Sequence, residues 1–415
     1  NTKTLKKLSK MFDVAVIGAG AAGFMAAITA KRENPKLRVA IIEKTSKTLA
    51  KIRISGGGRC NVTHQCHSIA ELSKAYPRGG SFLKQGFSQW NVQNTLDFFK
   101  DLGVEIYAQD DGRMFPTSNT SETIAAALEN EIDSIGVKLI TSEAINQLEP
   151  IESHWMLHTK NQSIPSKTIV LAMGGFPKAR DYGFLEKLGI EITSPVPSLF
   201  SFNIYDPELR ELSGLSVPKA FVKIEGEKEW YEGAALITHW GISGPAILKS
   251  SAVHARALFN QEYNFSFRMN WLGISEQEFD TAWTKKLKSD RNKKIKNLNF
   301  DSMPQRLWEY ILYTSQISED LILLDLSKVA KNKLKENLLQ MPLVAEGKTT
   351  FKEEFVTAGG LALSNVNKKM AFRSLPGLFA CGEILDIDGI TGGYNFQAAW
   401  TTGYLAGLSA ANHSL

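Results

Sequence analysis

The stretch from Phe12 to Glu43 constrains this chain more than any other. A short apolar run, Val14 to Ile17, leads into Gly18-x-Gly20-x-x-Gly23, and a helical pattern follows to about Glu33. Asn34-Pro35 breaks that pattern, Val39 to Ile42 reads as a second apolar strand, and Glu43 ends it. Strand, glycine turn, helix and strand in this order make a βαβ unit, with an acid at the distance where dinucleotide-binding folds carry one. Each residue has its own task. Gly18 permits the tight turn, Gly20 lacks the Cβ that would block a pyrophosphate, and Gly23 lets helix and strand pack closely. The amides at the helix start then face phosphate oxygens with the helix dipole behind them. Glu43 is placed to accept hydrogen bonds from a ribose diol.

With 415 residues the chain is too long for one ordinary domain, and two or three are expected. A net charge of +5 is mild for this length and does not by itself call for nucleic acid. The sparse, odd set of cysteines, Cys60, Cys66 and Cys381, argues against a disulfide framework and for a reducing, cytoplasmic setting. Cys60 and Cys66 are separated by five residues, which is not the spacing of a redox pair. The seven histidines and three cysteines show no metal-ligand spacing. Residues 1–10 are basic without an apolar core, which reads as an extension rather than a secretory signal. No run is long and apolar enough to be expected in a membrane.

After the second strand, Lys44 to Asn61 reads as a loop in which Lys51 and Arg53 bring positive charge and Ser55 to Arg59 offer a backbone nearly free of side chains. It leaves the strand end where such folds place their ligand. Ser88 to Leu102 is expected as an amphipathic helix, Asp110-Asp111-Gly112 as a hairpin turn, and Asn119 or Thr120 as the cap of a helix to about Ile135. Val137 to Thr141 and Lys167 to Met173 read as further strands, the latter ending at Gly174-Gly175. Around Ser194 the pattern turns to short alternating segments typical of antiparallel β structure. From about Ser275 it becomes helical and lysine-rich, and near Thr349 extended again. The end of the chain, a strand at Leu378 to Cys381, then Gly382-Glu383, then a helix opened by Gly392-Gly393-Tyr394-Asn395, returns to the grammar of the beginning. The expected fold is therefore α/β, with a Rossmann-type dinucleotide-binding domain of residues 1–193 and 351–415 interrupted by a β-rich subdomain, 194–274, and a helical subdomain, 275–350.

A second glycine-opened helix start suits the far end of a long dinucleotide. Beside a flavin it would meet the N1–C2=O edge, where reduction deposits negative charge, and Asp386 or Asp388 in the preceding loop would reach ribitol hydroxyls. Two separated glycine blocks thus favour non-covalently held FAD over NAD as the resident cofactor. The absence of a second GxGxxG unit leaves NAD(P)H as a transient electron donor.

The blocks VIGAGAAG (16–23), KIRISGGGRCN (51–61), DDGRMFP (110–116), IVLAMGGFPK (169–178), LITHWGISGPAIL (236–248), FVTAGGLAL (355–363) and the segment 377–404 occur here in one order. In that order the chain resembles the bacterial FAD-dependent flavoproteins known as NAD(FAD)-utilising dehydrogenases, which include aminoacetone oxidase-like and bile-acid-dehydrogenase-like members. The resemblance covers nearly the whole chain and implies a glutathione-reductase type of FAD domain. It carries cofactor contacts over to Gly18, Gly20, Ala22, Gly23 and Glu43 in the first block. In the second it carries them to Gly57, Gly58, Arg59, Cys60 and Asn61, and in the last to Gly382, Glu383, Gly393, Tyr394 and Asn395. Lys44, Arg53 and Gly174 flank these positions and complete the cofactor candidates. The loop Ala179 to Gly183 is shorter and more charged than is usual in that family.

The implied activity is that of an FAD-dependent oxidoreductase acting on a small molecule. The alternatives are a tRNA-modifying flavoprotein and a flavin-bearing interaction module without catalysis. His239, before the glycine turn at Gly241, is the one acid–base candidate, set against a purely structural role. The basic run from Lys285 to Lys296 reads as a solvated helix face before it reads as an RNA-binding stripe.

Overall fold

A computed structural model describes residues 11–298, 300, 303–349 and 356–413. The chain divides into two compact units, Asn1–Val196 with Lys352–Leu415, and Pro197–Phe351. Residues 1–10, and residues 350–355 of the extended stretch expected from Thr349, lie outside the described residues.

The first unit is built on a parallel sheet. Its strands Phe12–Ile17, Val39–Ile42, Lys138–Ile140, Ser163–Leu171 and Leu378–Ala380 run the same way, and the pairing places Phe12–Ile17 between Val39–Ile42 and Ser163–Leu171. Gln147–Ile151 and His154–His158 extend it as an antiparallel hairpin. The opening helix, Ala21–Glu33, and the C-terminal helix, Tyr394–His413, lie side by side in its core. Their contact is close because the C-terminal helix presents glycine. A Cβ on Gly403 would stand 2.6 Å from the Ala22 carbonyl oxygen, and one on Gly407 would collide with that of Ala26. Val14, Val16, Ile41, Val170 and Leu171 are fully or almost fully buried, as both faces of a covered parallel sheet require.

The elements expected between these strands appear with shifted ends. The helix expected from Ser88 begins at Val92, because Asn91 closes a capping box with Asn94. Thr120 caps Ser121–Ser134. Asp110 to Gly112 turn between Ile106–Ala108 and Arg113–Pro116. The loop expected over Lys44 to Asn61 is partly helical, Ala50–Gly58, with a break at Ser55 to Gly57 where the backbone leaves helical angles.

The second unit is a seven-stranded antiparallel sheet that curls on itself. Its strand Met341–Glu346 pairs with Asn264–Asn270 at one edge. After a bend at Gly347 (φ +117°), Lys348–Thr349 pairs with Ser201–Asn203 at the other edge. Sequence had assigned residues up to 350 to a helical subdomain. Instead, Met341, Leu343 and Ala345 are buried alternately, and this period of two makes the segment a strand of the β-rich sheet. The helices Glu276–Ser289, Gln305–Thr314 and Lys328–Leu339 bury Phe279, Trp283, Trp308 and Leu334 in the same core as Phe267 and Met269. Sheet and helices therefore share one core.

Candidate cofactor and active site

The candidate cofactor positions of the first unit include residues just past the parallel strands: Gly18 after Phe12–Ile17, Glu43 after Val39–Ile42, Gly174 after Ser163–Leu171 and Gly382 after Leu378–Ala380, at the carboxyl end where open α/β sheets take ligands. The three glycines of the opening turn differ in what they avoid. Gly18 sits at φ +111°, and a Cβ there would collide with the Ala172 carbonyl. On Gly23 it would strike the carbonyl oxygen of Gly18, so this residue sets the strand-to-helix packing. Gly20 is different: its φ of −95° suits any residue, and a Cβ would meet nothing within 4 Å. Nothing in the chain asks for glycine at Gly20. A diphosphate lying against the helix start does, and the residues present therefore fit FAD.

Glu43 is oriented by the chain itself. One carboxylate oxygen accepts the Ala19 amide at 2.9 Å; the other accepts the amide and hydroxyl of Thr45 at 2.9 and 3.0 Å. A carboxylate has about four acceptor sites, so capacity remains for a ribose hydroxyl. Ala22 is buried under Gly382, whose Cβ, if it had one, would stand 2.7 Å away. Lys44 is exposed, its ammonium 5.8 Å from the Phe176 ring centre.

The second block supplies an open backbone. Gly56, Gly57 and Gly58 run in succession at φ +58°, +68° and +82°, and side chains added at Gly57 or Gly58 would meet nothing within 4 Å. Arg59 lies over the Phe115 ring at 4.2 Å. Cys60 is buried in left-handed backbone (φ 61°), and burial pushes its thiol up to about 12. The Asn61 side chain accepts the Met114 amide at 3.1 Å. Arg53 is held by partners within the chain. Its guanidinium pairs with Glu122 and, at 2.9 Å, with Glu129, so its charge ties this segment to the helix Ser121–Ser134.

The third and last blocks close the cradle. Gly174 has φ +73° with open space beside it, whereas a Cβ on Gly175 would stand 2.6 Å from the Thr357 hydroxyl. Glu383 accepts the Lys51 ammonium at 2.7 Å and the Thr357 amide at 2.9 Å, which links the last block to the second. Gly393, at φ +96°, packs so tightly that a Cβ would lie 2.5 Å from the Thr63 carbonyl and 2.9 Å from Asn61 Oδ1. Asn395 uses both ends of its amide on the backbone of Gly389, at 2.9 and 3.0 Å, and so shapes the loop before the helix. The Tyr394 ring stacks on His64 at 4.6 Å. Of the two loop acids, Asp388 is fully buried and paired with Arg78, which makes it a structural strut and removes it as a ribitol ligand. Asp386 is half-buried, and its amide donates to the Leu361 carbonyl at 2.9 Å.

Sequence reasoning missed the strand Thr63–His64 and the buried Gln397. Thr63 donates its hydroxyl to Gln397 Oε1 at 2.7 Å, and Thr95 does so at 3.1 Å. The available signal was position: both follow a glycine block by a few residues. In the second unit, His239 is exposed and forms with Trp240 the tip of the hairpin between Tyr231–Thr238 and Gly241–Ser243. Gly244 (φ +99°) and Pro245 open the helix Pro245–Val253. Among the described residues no cluster of His, Cys, Asp or Glu is suited to a metal, and no helix is long and apolar enough to cross a membrane.

Residues 12–409 match the family described as HI0933-like protein Rossmann domain. Two relatives align over almost their whole length. A 3-dehydro-bile acid delta(4,6)-reductase of Clostridium scindens is 27% identical, covering 96% of this chain and 98% of its own. A ribosomal RNA dihydrouridine synthase of Haemophilus influenzae is 28% identical, covering 97% and 99%. Among solved structures, a 3-ketosteroid-delta4-(5alpha)-dehydrogenase of Rhodococcus jostii superposes with a TM-score of 0.53 at 13% identity and covers 98% of each chain, a likeness of fold. With this family and this cradle, the chain is an FAD-dependent oxidoreductase.

Proposed function

Because the chain belongs to the HI0933-like Rossmann family, we infer that it reduces a carbon–carbon double bond conjugated to a carbonyl, with NAD(P)H as electron donor. The observation that carries this reading is the chemistry common to the relatives' names. A 3-oxo bile acid with Δ4,6 unsaturation and the uracil ring of uridine are both alkenes activated by a neighbouring carbonyl. Each is saturated by hydride at the β-carbon and a proton at the α-carbon.

FAD, when bound, would supply the hydride chemistry, with a nicotinamide as its electron source. The chain's own part is to hold and to shield. Gly20 and the following amides take the diphosphate, and Glu43 takes the adenosine ribose. Gly57, Gly58 and Asn61 offer backbone and amide to the flavin half, with Gly174, Gly382 and Glu383. The amides at Gly393 and Tyr394 offer donors to the edge that gains negative charge. His239 is the candidate for delivering the proton or polarising the carbonyl. With one dinucleotide unit in the chain, NAD(P)H binds and leaves as a co-substrate.

A small molecule is the first substrate class. Uridine in structured RNA is the second, favoured by the rRNA-modifying relatives. Of the basic run, Lys293 pairs with Asp290, and Lys294 and Lys296 pair with Asp320. Three of the seven basic side chains of the run are thus tied to carboxylates, which supports the small-molecule class.

The test is an anaerobic titration with NADH and NADPH, followed by addition of a 3-oxo-4-ene steroid or of ribosomal RNA free of dihydrouridine. Flavin reoxidation together with a product two hydrogens heavier supports the reading and names the class. A reduced flavin that neither acceptor reoxidises, but that molecular oxygen does with turnover of an amine, would replace it with an oxidase.

A further inference from the structure

We propose that His64 is a positioning residue for the cofactor. By donating a hydrogen bond to the Gly392 carbonyl it fixes the peptide between Gly392 and Gly393, and with it the amide that meets the flavin's electron-rich edge. The proposal rests on the FAD reading above.

The imidazole is held on three sides. His64 Nδ1 lies 3.0 Å from the Gly392 oxygen. A carbonyl only accepts, so Nδ1 carries the hydrogen. One face of the ring stacks on Tyr394 at 4.6 Å and 25°. At the far edge, the hairpin tip closes in: Gly112 has φ +81°, and a Cβ there would stand 2.6 Å from Nε2. The chain thus uses a glycine in left-handed backbone to seat this ring.

The turn that His64 grips has little shape of its own. Gly392 and Gly393 lie at φ +126° and +96°, a region that only glycine visits freely and that costs conformational entropy to hold. The restraint comes from residues 61–64. Asn61 Oδ1 and the Thr63 carbonyl press on Gly393, the Thr63 hydroxyl bonds Gln397 one turn into the helix, and His64 takes the Gly392 oxygen. In a trans peptide the C=O and the following N–H point in opposite directions. Anchoring the Gly392 oxygen on His64 therefore aims the Gly393 N–H away from His64. Without the donor, this glycine peptide loses the hydrogen bond that fixes its rotation about the two flanking bonds, and the amide is less preorganised.

A lost amide donor penalises the reduced cofactor more than the oxidised one, because reduction is what places negative charge at that edge. The midpoint potential should fall. Two variants separate the hydrogen bond from the packing: His64→Phe keeps a ring for Tyr394 and has no donor, and His64→Asn keeps a side-chain N–H near the Nδ1 position and has no ring. The measurements are the FAD dissociation constant of the apoprotein by fluorescence titration, the midpoint potential of the holoprotein by dye equilibration, and the melting temperature of each apoprotein. His64→Phe should bind FAD about tenfold more weakly. Its potential should fall by about 30 mV, the two-electron equivalent of tenfold. His64→Asn should keep affinity within about twofold of the original and keep the potential. A His64→Phe protein with unchanged affinity and potential would overturn the proposal. So would a His64→Asn protein as impaired as His64→Phe. A parent protein that takes up no FAD would instead overturn the cofactor reading, and His64's role with it.

Discussion

At the scale of single residues, the glycines of the opening turn make separable predictions. Gly20→Ala should leave the apoprotein as stable as before, since its Cβ enters open space, while weakening FAD at least tenfold, about 1.4 kcal/mol. Gly23→Ala should cost the fold itself roughly 1–3 kcal/mol or more through overpacking against Gly18. Thermal melts with and without FAD distinguish the two. Cys60 makes a prediction about pH. An unfolded thiol ionises near pH ~8.5, while burial pushes that of Cys60 up to about 12. Only the unfolded chain gains by ionising in that window. The stabilising contribution is therefore complete below the unfolded value and is lost as pH rises toward 12. Melting temperatures in reducing buffer should fall over this range, and less steeply in Cys60→Ala. His239→Ala is the residue test of chemistry. If His239 delivers the proton, oxidation of the reduced flavin by the unsaturated substrate should slow by about 100-fold, with reduction by NAD(P)H little changed; equal rates would leave it a hairpin residue.

At the scale of elements, the close pair formed by the opening and C-terminal helices places one cofactor block beside the other. It depends on Gly403 and Gly407 facing Ala22 and Ala26. Gly407→Val should destabilise the first unit by several kcal/mol, about the upper range for overpacked cores, read as a shift in denaturant midpoint. FAD should recover part of that loss by mass action, about 2.7 kcal/mol at a hundredfold excess over its dissociation constant. Arg53 belongs to this scale as well. The sequence makes it a cofactor candidate, and its pairs with Glu122 and Glu129 fasten the glycine-rich segment to a neighbouring helix. A charge three residues from a glycine run says that a cation is near; it does not say which way the side chain turns.

At the scale of the molecule, the candidate FAD residues lie within one unit and the basic helical segment within the other. The strands Ile192–Ser198 and Val356–Leu361 pair with each other just where the chain leaves and re-enters the first unit. Replacing Pro197–Phe351 by a short linker should accordingly yield a protein that still binds FAD, as judged by flavin absorbance after gel filtration. Reduction of an unsaturated substrate should be lost. A shortened protein that folds but takes up no FAD would contradict this.

Much of the site was legible in the sequence because its requirements are local. The βαβ unit, its three glycines, the acid at Glu43 and the glycine-opened last helix depend on backbone angles and on spacing along a few residues, and linear order records both. The strand Met341–Glu346 could have been read the same way, from its alternation, had the surrounding lysines not suggested continued helix. What tertiary structure alone decided are the partners. Asp388 became a buried strut through Arg78, 310 positions away. His64 came to hold Gly392, 328 positions away, and Lys51 to meet Glu383 across 332. Such pairs form because the parallel sheet brings its carboxyl ends together, whatever the distance along the chain. A sequence declares which residues are able to donate, accept or leave space, and only the packed sheet determines to whom.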